Sequence, residues 1–467
     1  MRAEEGKMYF CRAKWPVTLK IAALAILFLP LERMSSTSPR PSEPVTLVFL
    51  FNDWEIPDRM PGSDQPLEEF TRETGIKVKL LAPPEGSLNA LALWKELLQK
   101  GSTTPDLYGI DLIWAQILSS YFLDLKSYFG SDLSSMGPLL LSSYSDGDRL
   151  VAMPFQTNIG VLLYRTDLLR KYGYKAPPKT WDELEKMAAR IQAGERQAGK
   201  KDFWGYVWQG AAAEGLTCNA LEWQVSEGGG HIIEPNATVS VNNPNTIRSW
   251  KRAARWVGAI SPPGVVAYRE WDSLNVWGSG NSAFHRTWES HERLAHLTGM
   301  PVGDTVIGNL MEGKVGVTSL PTGSAGGAST LGGSGLAVSR FSAHPQETLQ
   351  LIRYLLRARA KSLQAQYENK SDVQLEFSNL PPVLSLDPRL RSSSQRWDGI
   401  VTRPTIVAGM KYEDVTRAYI NAVHSVLTHQ QGAAEAAASL EKQLIQMTGF
   451  KKGPPLTENH EAGKRNP

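Results

Sequence analysis

Leu150-Val151-Ala152-Met153-Pro154-Phe155-Gln156-Thr157-Asn158-Ile159-Gly160-Val161-Leu162-Leu163-Tyr164 holds two apolar, strand-like runs with a polar tripeptide, Gln156-Thr157-Asn158, between them. Each run is short and continuous, in the way of a strand covered on both faces. Three polar residues in the middle of such a stretch mark a crossing from one packed body to another, and they put Gln156 and Asn158 beside any cleft between the two. A length of 467 residues agrees, being too great for one hydrophobic core and suited to two.

Upstream, Val45 to Phe51 reads as a first buried strand, followed by a loop from Asn52 to Asp64 whose Asp53, Glu55 and Asp58 are candidates to face a cleft. Pro66 opens a helix with Leu67 and Phe70 on one face; Gly75 stops it, and Ile76, Val78 and Leu80 alternate as a strand. A helix is expected over Leu88 to Leu98, then a short strand from Asp106 to Asp111. Asp111 thereby falls beyond the carboxyl end of a strand, where open α/β sheets bind ligands.

Downstream, Thr180 and Glu183 have capping-box spacing, and Leu184, Met187, Ala188 and Ile191 form the buried stripe of a helix. Phe203-Trp204-Gly205-Tyr206-Val207-Trp208 alternates like a strand, with Trp204, Tyr206 and Trp208 on one face. One face suits a core and the other a cleft. Helices are expected over Ile247–Ile260, around Leu349–Leu356, Val415–Val426 and Ala433–Met447; Pro381-Pro382 is a break, and the tail beyond Gly453 is expected to be disordered. Pro321 to Gly335, with six glycines, reads as a flexible loop or as backbone that approaches another surface closely. Alternating strands and helices argue for α/β layers.

A formal net charge of +3, with no basic stripe interleaved with aromatics, gives no support to a nucleic-acid partner. Arg12, Lys14 and Lys20 before the apolar run Ile21–Leu31 read as an export signal, and the prolines at 39, 41 and 44 as a linker; an uncleaved anchor is the alternative. Cys218 is the only cysteine after that segment, so no internal disulfide is expected, nor is a zinc site.

Enzyme signatures fail on spacing. His291-Glu292 is followed by His296, one place beyond the zincin pair. Gly278-Ser279-Gly280-Asn281-Ser282-Ala283 precedes a strand-like run rather than a helix, and the glycine-rich stretch lacks the Lys-Ser/Thr of a phosphate loop. No serine sits in a nucleophile elbow. Asn236-Ala237-Thr238 and Asn369-Lys370-Ser371 match the glycosylation triplet, to which no function is attached. Carboxylates paired for glycoside hydrolysis, drawn from Asp111, Glu214 and Glu222, remain as the alternative to a binding protein.

Several pieces, in order, resemble the extracellular solute-binding proteins that feed sugar-importing ABC transporters, near the trehalose/maltose-binding group. They are Thr74-Gly75-Ile76-Lys77-Val78, Pro105-Asp106-Leu107 with Asp111 and Trp114, Leu163-Tyr164-Arg165-Thr166-Asp167-Leu168-Leu169, and Pro178-Lys179-Thr180-Trp181-Asp182-Glu183-Leu184. Trp208-Gln209-Gly210 with Glu214–Trp223, Ala283–Trp288, Leu331-Gly332-Gly333, Leu336–Ser339 and Arg403-Pro404 complete the set. The resemblance implies that Asp111 and Asn158 bond sugar hydroxyls, Trp288 stacks on a pyranose face, Gly333 offers backbone and Arg403 closes the site. Gln156, Ser334, Trp208 and Glu222 join them as candidate ligand residues. Three positions depart from the family pattern: Asn158 for aspartate, Thr287 for asparagine, and Ser334 where a second tryptophan follows Gly333, so that either Trp208 or Trp271 compensates or the ligand differs in size from trehalose.

The expectation is an α/β, two-lobed, periplasmic-binding-protein-like fold with the ligand cleft between lobes. Residues 1–44 form the signal and linker, 45–153 with 314–360 one lobe, 154–313 with 361–453 the other, and 454–467 the tail. Crossings are expected near Pro154–Asn158, near Val302–Lys314 and after Arg359. The chain is expected to be a non-enzyme without cofactor. It would act as an extracytoplasmic monomer that binds a carbohydrate such as trehalose or maltose and presents it to ABC permease subunits.

Overall fold

β1 (Thr46–Leu50) lies in parallel between β2 (Lys77–Leu81) and β3 (Leu107–Asp111). Parallel neighbours need crossovers, which α1 (Pro66–Thr74) and α2 (Ser87–Gln99) supply. Trp94 of α2 donates from Nε1 to the Gly109 carbonyl at 3.1 Å, fixing that helix on the sheet. The computed structural model describes residues 44–51, 66–84, 86–133, 136–288, 301–302, 305–306, 314–368 and 399–456. The export segment, the acids Asp53, Glu55 and Asp58, Pro381-Pro382, the second glycosylation triplet and the tail from 457 lie outside them.

β4 (Met153–Arg165) corrects the expectation of two runs: it is one strand of 13 residues. The polar tripeptide does not interrupt it, because pairing with β8 (Ser329–Val338) continues through Gln156↔Ser334, Thr157↔Gly333 and Asn158↔Gly332. The glycine-rich stretch expected as a loop therefore supplies a central strand. Its glycines leave room for neighbouring side chains; a Cβ at Gly335 would lie 2.6 Å from the Tyr144 ring.

Four more strands complete the sheet: β5 (Trp204–Val207), β6 (Ser282–Trp288), β7 (Val315–Ser319) and β9 (Ile400–Val401). The order is β2-β1-β3-β8-β4-β6-β5, with β7 beside β4 and β9 beside β8. The register divides β4 in two. Its Met153–Ile159 half faces β8, while Gly160–Tyr164 pairs with β6 and Val161–Arg165 with β7. β8 divides likewise, Ser334–Val338 lying on β3 and Ser329–Thr330 on β9. A crossing was expected at 302–314, before β7, yet β7 lies with β6 against the distal half of β4.

α3 (Trp181–Gln197) starts where its cap is, Thr180 Oγ1 accepting from Glu183 N at 3.2 Å. Glu183 reaches back one residue further than a capping box requires, to Lys179 N at 2.6 Å. α4 (Glu214–Ser226) is buried at every residue except Val225. α5 (Pro244–Trp256) begins three residues before the expected Ile247 because Asn243 accepts from Asn245 N and Thr246 N and Pro244 occupies the first turn. α6 (Glu270–Gly278), α7 (Pro345–Glu368), α8 (Tyr412–Leu427) and α9 (Ala433–Thr448) follow, Gly449 closing the last in the left-handed region at φ 76°.

Trp208 is not a cleft residue. It is fully buried, donates from Nε1 to Ser261 Oγ at 3.0 Å, and meets Trp223 edge to face at 5.0 Å. Trp223 in turn meets Trp256 at 5.5 Å, and Trp256 lies 5.6 Å from Trp181. Geometry of this kind adds about 0.5–1.5 kcal/mol per pair beyond burial. Both faces of β5 are covered, since Ala188 of α3 abuts Gly205 and the Arg196 guanidinium lies 4.2 Å over the Trp204 ring. Cys218 of α4 is buried too, and burial pushes its thiol up to about 12, leaving it a protonated packing residue.

Candidate binding cleft

Asp111 ends β3, and its Oδ1 accepts from Ile113 N at 3.2 Å to open the short turn Leu112–Trp114. Ser334 of β8 stands between Asp111 on one side and Gln156 on the other, so three polar side chains form a row across three strands. Two pairs further along, Asn158 opposes Gly332. A Cβ at Gly332 would lie 2.4 Å from Asn158 Oδ1 and 2.9 Å from Trp288 Cζ3, which puts amide and indole against the same glycine. Trp288 ends β6 opposite Gly160 and retains 9% exposure.

Gly333 has φ 143°, and a Cβ there would stand 2.2 Å from the Gln156 carbonyl oxygen. Backbone strain and collision with backbone act together at this position. Gly333→Ala is expected to cost about 1–3 kcal/mol of stability, read as a lower urea midpoint with an unchanged slope.

Arg403, two residues beyond β9 and 3% exposed, joins the parts. Its Nη1 donates to Glu214 Oε1 at 3.1 Å, while Nη2 reaches Asp111 Oδ1 and the Leu331 carbonyl, both at 3.4 Å. Glu214, at the start of α4, also accepts from Tyr412 Oη and from Thr416 Oγ1 at 2.8 Å. Asp111 keeps 27% of its side chain exposed, whereas Glu214 keeps 7%. Burial pushes both carboxyls above their ordinary range, against the opposing pull of Arg403.

Asp111, Gln156, Asn158, Trp288, Gly333, Ser334 and Arg403 are thus brought together around Leu331–Ser334. Glu222 is not part of the lining. It is fully buried behind Trp288, with Oε2 accepting from Arg286 Nε at 3.0 Å and Oε1 from Arg286 Nη2 at 2.6 Å. Sequence reasoning missed Arg286 as a partner of Trp288, although a spacing of two places both on one face of a strand. It offered no signal for Tyr412 and Thr416, whose partner Glu214 is 198 and 202 residues away.

An α/β body in which two long strands each serve two groups of neighbours, with polar and aromatic side chains gathered where they do so, defines a two-lobed solute-binding protein. The chain belongs to the bacterial extracellular solute-binding protein family, whose sequence profile matches residues 53–362. It is similar to a probable ABC transporter-binding protein of Deinococcus radiodurans, 39% identical over 384 residues, covering 82% of this chain and 89% of that one. Among solved structures it resembles maltose-bound MalE3 of T. maritima, with TM-score 0.70, 27% identity, and coverage of 86% of this chain and 100% of that one. A solute-binding protein of Agrobacterium radiobacter in complex with ribitol shares the fold, with TM-score 0.68, 21% identity, and coverage of 87% and 100%.

Proposed function

We propose that this protein is the extracytoplasmic binding subunit of an ABC importer and that its solute is a carbohydrate, a disaccharide of the trehalose or maltose kind. The observation that carries this is the meeting of the Trp288 ring with Asn158 at Gly332, two residue pairs along the same strands from the row of Asp111, Ser334 and Gln156. A pyranose has C–H faces for a ring to cover and hydroxyl edges for carboxylate, amide and guanidinium groups to satisfy. Arg403 adds a donor, since its buried Nε has no hydrogen-bond partner among the described residues. The 39%-identical relative described as ABC transporter-binding and the maltose held by the 27%-identical neighbour support the same reading.

The lobes meet, on this proposal, across β4 at 156–160 and across β8 at 331–334. A solute touching both sides favours the closed arrangement, and the permease reads closure. With Ser334 in place of a second ring and Trp208 in the core, Trp288 is the main platform and Trp271 the ring left to assist it.

Hydrolysis fits the cleft less well. Glu222 is spent on Arg286 and Glu214 on Arg403, Tyr412 and Thr416, so neither is free to act with Asp111 as acid or nucleophile. A thermal-shift screen of mono-, di- and oligosaccharides tests the proposal. A disaccharide at a hundred times its Kd is expected to stabilise the protein by about 2.7 kcal/mol, and to be recovered intact. Recovery of cleaved sugar would turn the reading to an enzyme, and absence of any shift would end it.

A further inference from the structure

Behind Trp288 lies a set of contacts that solute binding does not itself require. The Arg286 guanidinium carbon is 4.1 Å from the centre of the Trp288 ring, both side chains rising from one face of β6. Glu222 holds that guanidinium in a two-pronged pair at 3.0 and 2.6 Å, and Gln209 Oε1 accepts from Nη1 at 3.2 Å. Gln209 is itself fixed, its Oε1 taken by Asn219 Nδ2 at 3.0 Å and its Nε2 donating to Ser273 Oγ and the Arg286 carbonyl at 2.8 Å. Arg286 therefore has little freedom to tilt, and the ring stacked on it has little more.

Two features connect this pair to the crossing strands. Glu222 Oε1 also accepts from Thr330 N of β8 at 3.1 Å, three residues before Gly333. Gly160 of β4 opposes Trp288 in register, and a Cβ there would lie 2.2 Å from Glu222 Oε1 and 2.7 Å from Arg286 Nη2, so the strand is bare where the pair needs room. Arg286 and Glu222 are both fully buried. A buried ion pair is a poor way to fill a core, since apolar residues of similar volume are as stable or more so. Its use here points to geometry.

We propose that Arg286 is a positioning residue that fixes the plane of the Trp288 platform, and that Glu222 anchors it to β8, so that ring and crossing strand move together. The inference rests on the reading of Trp288 as the sugar platform. Because the ring cannot re-tilt, the cleft selects solutes that offer a flat pyranose face at one angle, and Arg286 with Glu222 contributes to specificity without touching the solute.

The test compares the full chain with Trp288→Ala, Arg286→Lys and the double variant Arg286→Met/Glu222→Gln, using maltose and trehalose as probes in calorimetry and thermal unfolding. The double variant is neutral and keeps an acceptor for Thr330 N, so its melting temperature is expected to stay near the parent's while sugar affinity falls by more than about tenfold. Arg286→Lys keeps the charge but loses the planar stack, and a similar fall in affinity is expected. Affinity within about twofold of the parent in either folded variant, with Trp288→Ala still losing it, overturns the positioning role alone. A parent that binds neither sugar, or a Trp288→Ala variant that binds as tightly as the parent, overturns the platform reading and the positioning role with it.

Discussion

Replacing Arg403 by methionine is expected to destabilise the protein by about 3–5 kcal/mol and to abolish solute binding. The guanidinium stands between Glu214 on α4 and Asp111 at the end of β3, and it also donates to the Leu331 carbonyl. Without it Glu214 remains buried among hydrogen-bond donors of α8 with no cation, and Asp111 loses the one charged partner it has among the described residues.

The sign of the pH dependence separates this account from simple loss of packing. Both carboxyls are raised by burial above ordinary values of 3.8 and 4.5. An acid raised in the folded state keeps its proton at a pH where the unfolded chain has released it, so its contribution favours folding at low pH and is lost as pH rises through the folded value. Arg403 pulls both values down, and its removal widens that window upward. The stability gap between parent and Arg403→Met, measured by urea unfolding, is therefore expected to narrow between pH 7.5 and pH 5. A gap that does not change with pH would show that the loss is one of packing rather than of uncompensated charge.

Local pattern carried most of the architecture. Gly75 after Phe70, Thr180 before Glu183 and the strand ending at Asp111 are each decided within a few residues, and the structure has them as the sequence implies. What eluded the sequence depends on partners far along the chain. Gln156-Thr157-Asn158 looked like a break because polar residues are rare inside a covered strand; they sit in one because Gly332, Gly333 and Ser334, from a stretch that looked like a loop, pair with them. Trp208 looked available because its strand alternates. It is covered because α4 brings Trp223 across it and α5 brings Trp256. Among the site residues, the end of a strand revealed Asp111, while Glu222 was misread because its partner Arg286 is 64 residues away and nothing local shows that they meet.

Trp288→Ala is expected to remove sugar binding while leaving the fold in place. The ring ends β6, so truncation interrupts no ladder, and the backbone pairing of β6 with Gly160–Tyr164 needs only the main chain. One face of the indole rests on Arg286, which keeps its pair with Glu222 in the variant. The stability cost should accordingly fall below the about 3–5 kcal/mol of a tryptophan lost from a closed core. Binding should suffer more. An aromatic side chain at the centre of a contact commonly carries about 2 kcal/mol or more of the total, close to a thirtyfold loss of affinity, and Ser334 beside Gly333 supplies no second ring. Trp288→Phe, which keeps a smaller face, should fall between parent and alanine. If calorimetry gives all three the same affinity for a sugar that the parent binds, the ring does not touch the solute, and Trp271 on α6 becomes the next to test.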